Sequence, residues 1–248
     1  MAIPGRRDRQ ILAGLFLAKF DRDGLTHLGF ASFVEAFNTL ACGLGASPAS
    51  IKNYRDELDP FFPNPRRGWA NRPVRPHCQR ILQEYGQLDL VELGSLLRAS
   101  LAGDSLETIG DELEGDGWSA GFAQRLQTGL AAETYFVAQA KVLPAFCGYE
   151  LADTTRLGCG FDFRLTRDDA PSLAVEVKGV REASGSILLT DKEHRAADRL
   201  RDRYVLFVVC GFVETPFHAL FWNPVHSGLV LEPRVVTRQE RTWQAMVG

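Results

Sequence analysis

This chain has no cysteine pair at redox or metal-ligand spacing, no apolar run long enough for a membrane, and no excess of positive charge. Its five cysteines (Cys42, Cys78, Cys147, Cys159, Cys210) are odd in number and scattered, without a C-x-x-C pair. That pattern argues against a disulfide framework and a structural zinc site, and makes a reducing cytoplasm the expected location. The longest apolar runs, such as 204–210, are far too short to span a bilayer. The first ten residues carry charge but no apolar h-region, so neither secretion nor membrane insertion is expected. No G-x-x-x-x-G-K-[ST] motif occurs, and ATP is not expected to be needed. Internal repeats and low-complexity tracts are also missing.

The 248 residues suffice for one large domain or two small ones. The net charge of −3 is unevenly distributed. Six of the 31 acidic residues lie between Asp104 and Asp116 with no basic residue among them; the other 25 face 28 basic residues. Phosphate affinity depends on local clusters, so the total neither supports nor excludes a nucleic-acid partner. The acidic, Gly-containing stretch marks the expected boundary. A helical domain over 1–103 is expected, then a linker over 104–117 and a second domain over 118–248.

Before the boundary the pattern is helical. Phe30, Phe33, Val34, Phe37 and Leu40 recur at helical spacing and predict one apolar face. Gly43, Gly45 and Ala46 predict a turn, Ser47 an N-cap with Pro48 in the first helical position, and Pro60 the end of that helix. Two helices around a short turn resemble a helix-turn-helix. Further helices are predicted over 79–85 and 88–101. After the boundary a long helix over 121–141 is predicted, with Leu126, Leu130, Tyr135 and Val137 as packing residues. Strands follow over 161–165, 173–178 and 204–210, a short one over 186–189 and another over 218–222. A helix over 191–201, capped by Thr190, precedes the 204–210 strand. The expected class is α/β (α+β): a C-terminal mixed sheet flanked by helices behind an N-terminal mainly helical, helix-turn-helix-like domain.

The segment LAVEVKG, 173–179, carries the chemistry. Side chains alternate along a strand, so Glu176 and Lys178 leave one face while Val175 and Val177 leave the other. GFDF places Asp162 between Phe161 and Phe163, and the polar turn TRDDAPS would bring its strand beside Glu176. Two converging carboxylates are costly unless a cation neutralises them. Mg²⁺ is the expected one, since it prefers hard oxygen donors and keeps waters and substrate phosphate. Lys178 would then face an attacking water and a phosphate, a set suited to phosphodiester hydrolysis. Alone, an E-x-K on a strand is more often a cross-strand ion pair on a solvated face.

Asp162, thirteen intervening residues, then Glu176-Val177-Lys178 resembles the PD-(D/E)XK nuclease pattern. The context resembles more closely its NO VEIN C-terminal branch: Glu133 on a helix, GFDF, VEVKG, then Thr190 and Glu193 opening a helix before DRYVLFVV. The resemblance covers roughly the last half of the chain, and Phe161 stands where the superfamily's name has proline. It implies Asp162 and Glu176 as metal ligands, Lys178 as the catalytic lysine and Glu133 as an auxiliary catalytic carboxylate. Lys192, Glu193 and Arg195 suit a solvated helix surface as well as a substrate face.

The arm 64–80 carries Arg66, Arg67, Arg72, Arg75 and Arg80, with Trp69, and no acidic residue. With Lys52, Asn53 and Arg55 on the preceding helix it forms the expected DNA-binding element: arginines for phosphates or guanines, Trp69 for stacking or wedging. The alternative is a structural arm whose arginines pair with Asp56, Glu57 and Asp59. The expectation is therefore a Mg²⁺-dependent, sequence-specific endonuclease of double-stranded DNA, resembling type II restriction enzymes and working as a homodimer. A modification-dependent or repair nuclease, or a non-catalytic DNA-binding module of nuclease-like fold, are the alternatives.

Overall fold

The computed structural model of the chain describes residues 4–102, 120–235 and 245–246, with the side chains of 102 and 120–126 excepted. The acidic linker expected over 104–117, and the Leu126 side chain, lie outside the described residues. Among the described residues are seven α-helices and one five-stranded mixed sheet, and no helix is long and apolar enough to cross a membrane.

The helical half is built around α1 (Arg6–Leu28), for which sequence patterning offers no clear stripe. Ile11 to Ala18 are entirely buried, so the helix is wrapped on all sides rather than amphipathic. Around it pack α2 (Phe33–Gly43), α3 (Pro48–Leu58), α4 (Pro76–Tyr85) and α5 (Leu90–Ala102). The Ser47 side chain caps α3, with Pro48 in its first turn, and the helix gives way at Leu58 to a short turn holding Pro60. Ser32 caps α2, so that helix starts at Phe33 rather than Phe30, and Val34 is 52 % exposed instead of joining the core.

α6 (Ala120–Ala140) joins the two halves. Leu130 packs on the helical core, whereas Ala131, Ala132, Tyr135, Phe136 and Val137 pack on the sheet. The sheet runs β1 (Glu150–Asp153), β2 (Phe163–Arg167), β3 (Ala170–Gly179), β4 (Tyr204–Cys210) and β5 (Phe217–Trp222), in that spatial order. All neighbours are antiparallel except β3 and β4, which the crossover helix α7 (Asp191–Leu200) makes parallel. β4 is buried throughout: Val205, Phe207 and Val209 face α6, while Tyr204, Leu206 and Val208 face the α7 side. The strand expected over 186–189 does not form. Ile187 and Leu189 pack on Leu206 and Val208 as a loop, so their alternation reflects burial without a ladder. β1 was not anticipated; its sequence, ELAD, lacks β-branched residues.

Two contacts tie α2 to the end of β3 and the loop after β4. Asn38 donates to the Phe212 and Glu214 carbonyls at 2.9 and 2.8 Å. Glu35, 1 % exposed, accepts from both Nε and Nη2 of Arg181. A buried carboxylate deprived of a cationic partner is destabilising, so Arg181→Ala should lower stability by about 2 kcal/mol. Urea unfolding of the variant checks this, and the double variant Glu35→Gln/Arg181→Ala should recover part of the loss.

Candidate active site

The site lies where β2 and β3 part. Their pairing ends at Phe163 opposite Val175, yet β3 runs on to Gly179 with β4 as its remaining strand partner. Asp162 sits just before β2 rather than within it, which corrects the expected strand start. Its N–H donates to the Val175 carbonyl at 3.0 Å, and its Oδ2 accepts from the Val177 N–H at 2.8 Å. The carboxylate thus adds one more rung to a ladder whose backbone partner has left. Buried Thr154 fixes the turn from the other side, donating its N–H and Oγ1 to the Asp162 carbonyl at 2.8 and 3.0 Å.

Two glycines of the motifs have steric causes. Gly160 has φ +88°, and a Cβ there would meet the Lys192 carbonyl of α7 at 2.8 Å. A Cβ on Gly179 would stand 2.7 Å from the Thr128 carbonyl of α6. The GFDF and EVKG glycines therefore let a helix press against each end of the site.

Glu133 from α6, Asp162, Glu176, Lys178 and Glu193 line one cleft of about 460 Å³. Glu176 is 2 % exposed, and its Oε1 accepts from the Lys178 ammonium at 2.5 Å. Burial, and then the Asp162 charge, push the Glu176 carboxyl well above the ordinary range against the pull of Lys178. Burial likewise raises Asp162, although the Val177 N–H and Lys178 oppose it. Glu133 is pushed up to about 7 by burial and by Asp162 and Asp153. Burial alone would lower Lys178, but Glu176 and Glu193 outweigh it and hold the ammonium charged.

Sequence reasoning named Asp162, Glu176, Lys178 and Glu133, and the fold gathers all four at this cleft. It left Glu193 open between a solvated helix surface and a substrate face, and did not name Thr154 or Arg181. The Thr190-x-x-Glu193 spacing is a visible capping box, but nothing in it shows that the same carboxylate meets Lys178 at 3.0 Å.

Four carboxyl groups line the cleft against Lys178 and Arg181, so it is suited to a further cation. Among the described residues no three His, Cys, Asp or Glu side chains form a group that could hold a metal by themselves. Asp162 and Glu176 would supply two oxygen donors, leaving the remaining positions to water and phosphate. That incomplete set is what Mg²⁺ commonly takes.

The arm 64–80 and the α3 residues expected to act with it, Lys52, Asn53 and Arg55, divide into an inner and an outer set. Arg55 is buried against Asp56 and over the rings of Phe33 and Phe37. Arg66 pairs with Asp59 and with Asp21, the latter at a break in α1 with φ +45°. Arg75 holds Glu57 and lies over Tyr54. For these three arginines the geometry is the ion-paired alternative. Lys52, Asn53, Arg67 and Arg72 are exposed, with Lys52 2.6 Å from Asp56 and Arg72 over the half-buried Trp69 ring.

A family model described as Protein NO VEIN, C-terminal, matches residues 132–221, the span that holds every cleft carboxylate named above. No curated protein and no solved structure shows significant similarity to the chain.

The Glu57–Arg75 pair has a pH signature. Burial alone would raise Glu57, but hydrogen bonds from the Arg75 side chain and backbone, together with its charge, hold the carboxyl below its usual value of 4.5. A depressed folded pKa stabilises fully above the unfolded value and is lost as pH falls through the folded one. Thermal midpoints measured from about pH 6 down to about pH 3 should therefore fall in the wild type, and fall less steeply in Arg75→Ala.

Proposed function

We propose that this protein is a Mg²⁺-dependent endonuclease acting on double-stranded DNA. The observation that carries the reading is the arrival of Asp162, from the turn before β2, and Glu176 of β3 at one cleft with Lys178. The family match over the same residues supports a nuclease-like role, in line with the resemblance of Asp162 and Glu176-Val177-Lys178 to the PD-(D/E)XK pattern.

In this reading Asp162 and Glu176 would hold the ion, which when bound would supply Lewis-acid polarisation of the scissile phosphate and a lowered pKa for a water. Lys178 donates to a phosphate oxygen and orients the water, and its positive charge offsets the charge that develops during attack. Glu133, with its carboxyl raised to about 7, can accept or return a proton near neutrality. The buried walls around Glu176 keep bulk water from screening these charges. Recognition falls to Lys52 and Asn53 of α3 and to Arg67 and Arg72 of the arm with Trp69, while Arg55, Arg66 and Arg75 shape the surface that presents them. Cutting both strands with one cleft per chain calls for a symmetric pair of chains.

The test is digestion of a defined plasmid with Mg²⁺ or Mn²⁺ and with EDTA. Discrete fragments are expected with either metal and none with chelator. Asp162→Ala and Lys178→Ala should each reduce the rate by at least about 100-fold. A smear would favour a nuclease without sequence preference. A protein that retards DNA but never cuts it would be a binding module instead. Independently of turnover, Mg²⁺ should raise the thermal midpoint of the wild type and leave that of Glu176→Gln unchanged.

A further inference from the structure

Lys178 is held by two carboxylates of different standing. Glu176 lies two residues away on the same strand and takes the ammonium at 2.5 Å. In the proposed reaction Glu176 is committed to a cation, and its hold on the lysine weakens. Glu193 takes the same ammonium at 3.0 Å from the first turn of α7. Its carboxylate is itself fixed: the Thr190 N–H donates to the same Oε2 at 2.8 Å, while the Glu193 N–H donates to Thr190 Oγ1 at 3.3 Å. The helix start is pinned in turn against the turn that carries Asp162, because Gly160 lies close under the Lys192 carbonyl.

We infer that Glu193 is a positioning residue, a capping-box carboxylate that anchors Lys178 toward the cleft and keeps it there when Glu176 turns to another cation. Its effect on cleavage rests on the nuclease reading; the anchor itself does not. Thr190 and Glu193 thus do two separable things. Together they stabilise the start of α7, and Glu193 alone fixes the amine.

Two variants separate these roles. Glu193→Gln keeps an oxygen for the Thr190 N–H, since Gln also serves in a capping box, but removes the charge that holds the ammonium. Thr190→Ala removes the hydroxyl cap and leaves the carboxylate. In metal-free protein, carbamylation of Lys178 by cyanate, read by peptide mass spectrometry, should be roughly tenfold faster in Glu193→Gln, the size expected for a lost charge-assisted hydrogen bond. Thr190→Ala should lower the thermal midpoint while leaving the labelling rate close to wild type. With DNA, Glu193→Gln should lower kcat roughly tenfold with little change in KM. Unchanged labelling in Glu193→Gln overturns the inference whether or not DNA is cut. Faster labelling in a protein that never cuts DNA would support the anchor and sink the nuclease reading.

Discussion

The structure depends on a single divergence in its sheet. β2 leaves β3 after one flank of the ladder is complete, and the exposed edge of β3 is finished by a side chain, Asp162, instead of a backbone. A carboxylate in that place must be partly buried and must sit close to the next side chain on the same face, which is Glu176. Burial then raises both acids, and the Asp162 charge raises Glu176 further, so the site becomes a place where positive charge is stabilising. Lys178 supplies one such charge from within the chain. Its two contacts, to Glu176 and Glu193, show how strongly the cleft draws a cation.

The surrounding fold keeps that arrangement rigid. α6 lies against one face of the sheet and α7 covers the other. Each approaches a glycine of the site motifs too closely for any larger residue. α2 then fastens the helical half to the far end of β3 through Glu35 and Arg181, three residues beyond Lys178. The helical half is therefore not hung loosely on the sheet; its second helix grips Arg181, two residues past the end of β3, and the loop after β4.

The parts of the fold that could be read from sequence are those with strong local signals. The Ser47-Pro48 helix start, the Thr190 cap, the alternation of LAVEVKG and the apolar run of β4 all appear where their residues place them. α1 escaped because a helix buried on every side has no polar stripe to betray its period. The 186–189 segment misled because a loop packed on a sheet can bury every second residue as a strand does. Arg55, Arg66 and Arg75 were ambiguous for a different reason: an arginine's composition cannot say whether its partner is a phosphate or the chain's own Asp56, Asp59 or Glu57. Only the fold brings those acids within reach. Glu193 was visible as a cap, but its second role depends on a contact across fifteen residues that no local pattern encodes.

The central claim is that Asp162 and Glu176 share a divalent ion. An anomalous difference map from crystals soaked in Mn²⁺ tests it most directly. The account predicts one strong peak about 2.1 Å from an oxygen of each carboxylate, with the Lys178 ammonium drawn off Glu176 and still on Glu193. A map with no peak between those two side chains at millimolar Mn²⁺, and Lys178 still seated on Glu176, would contradict it.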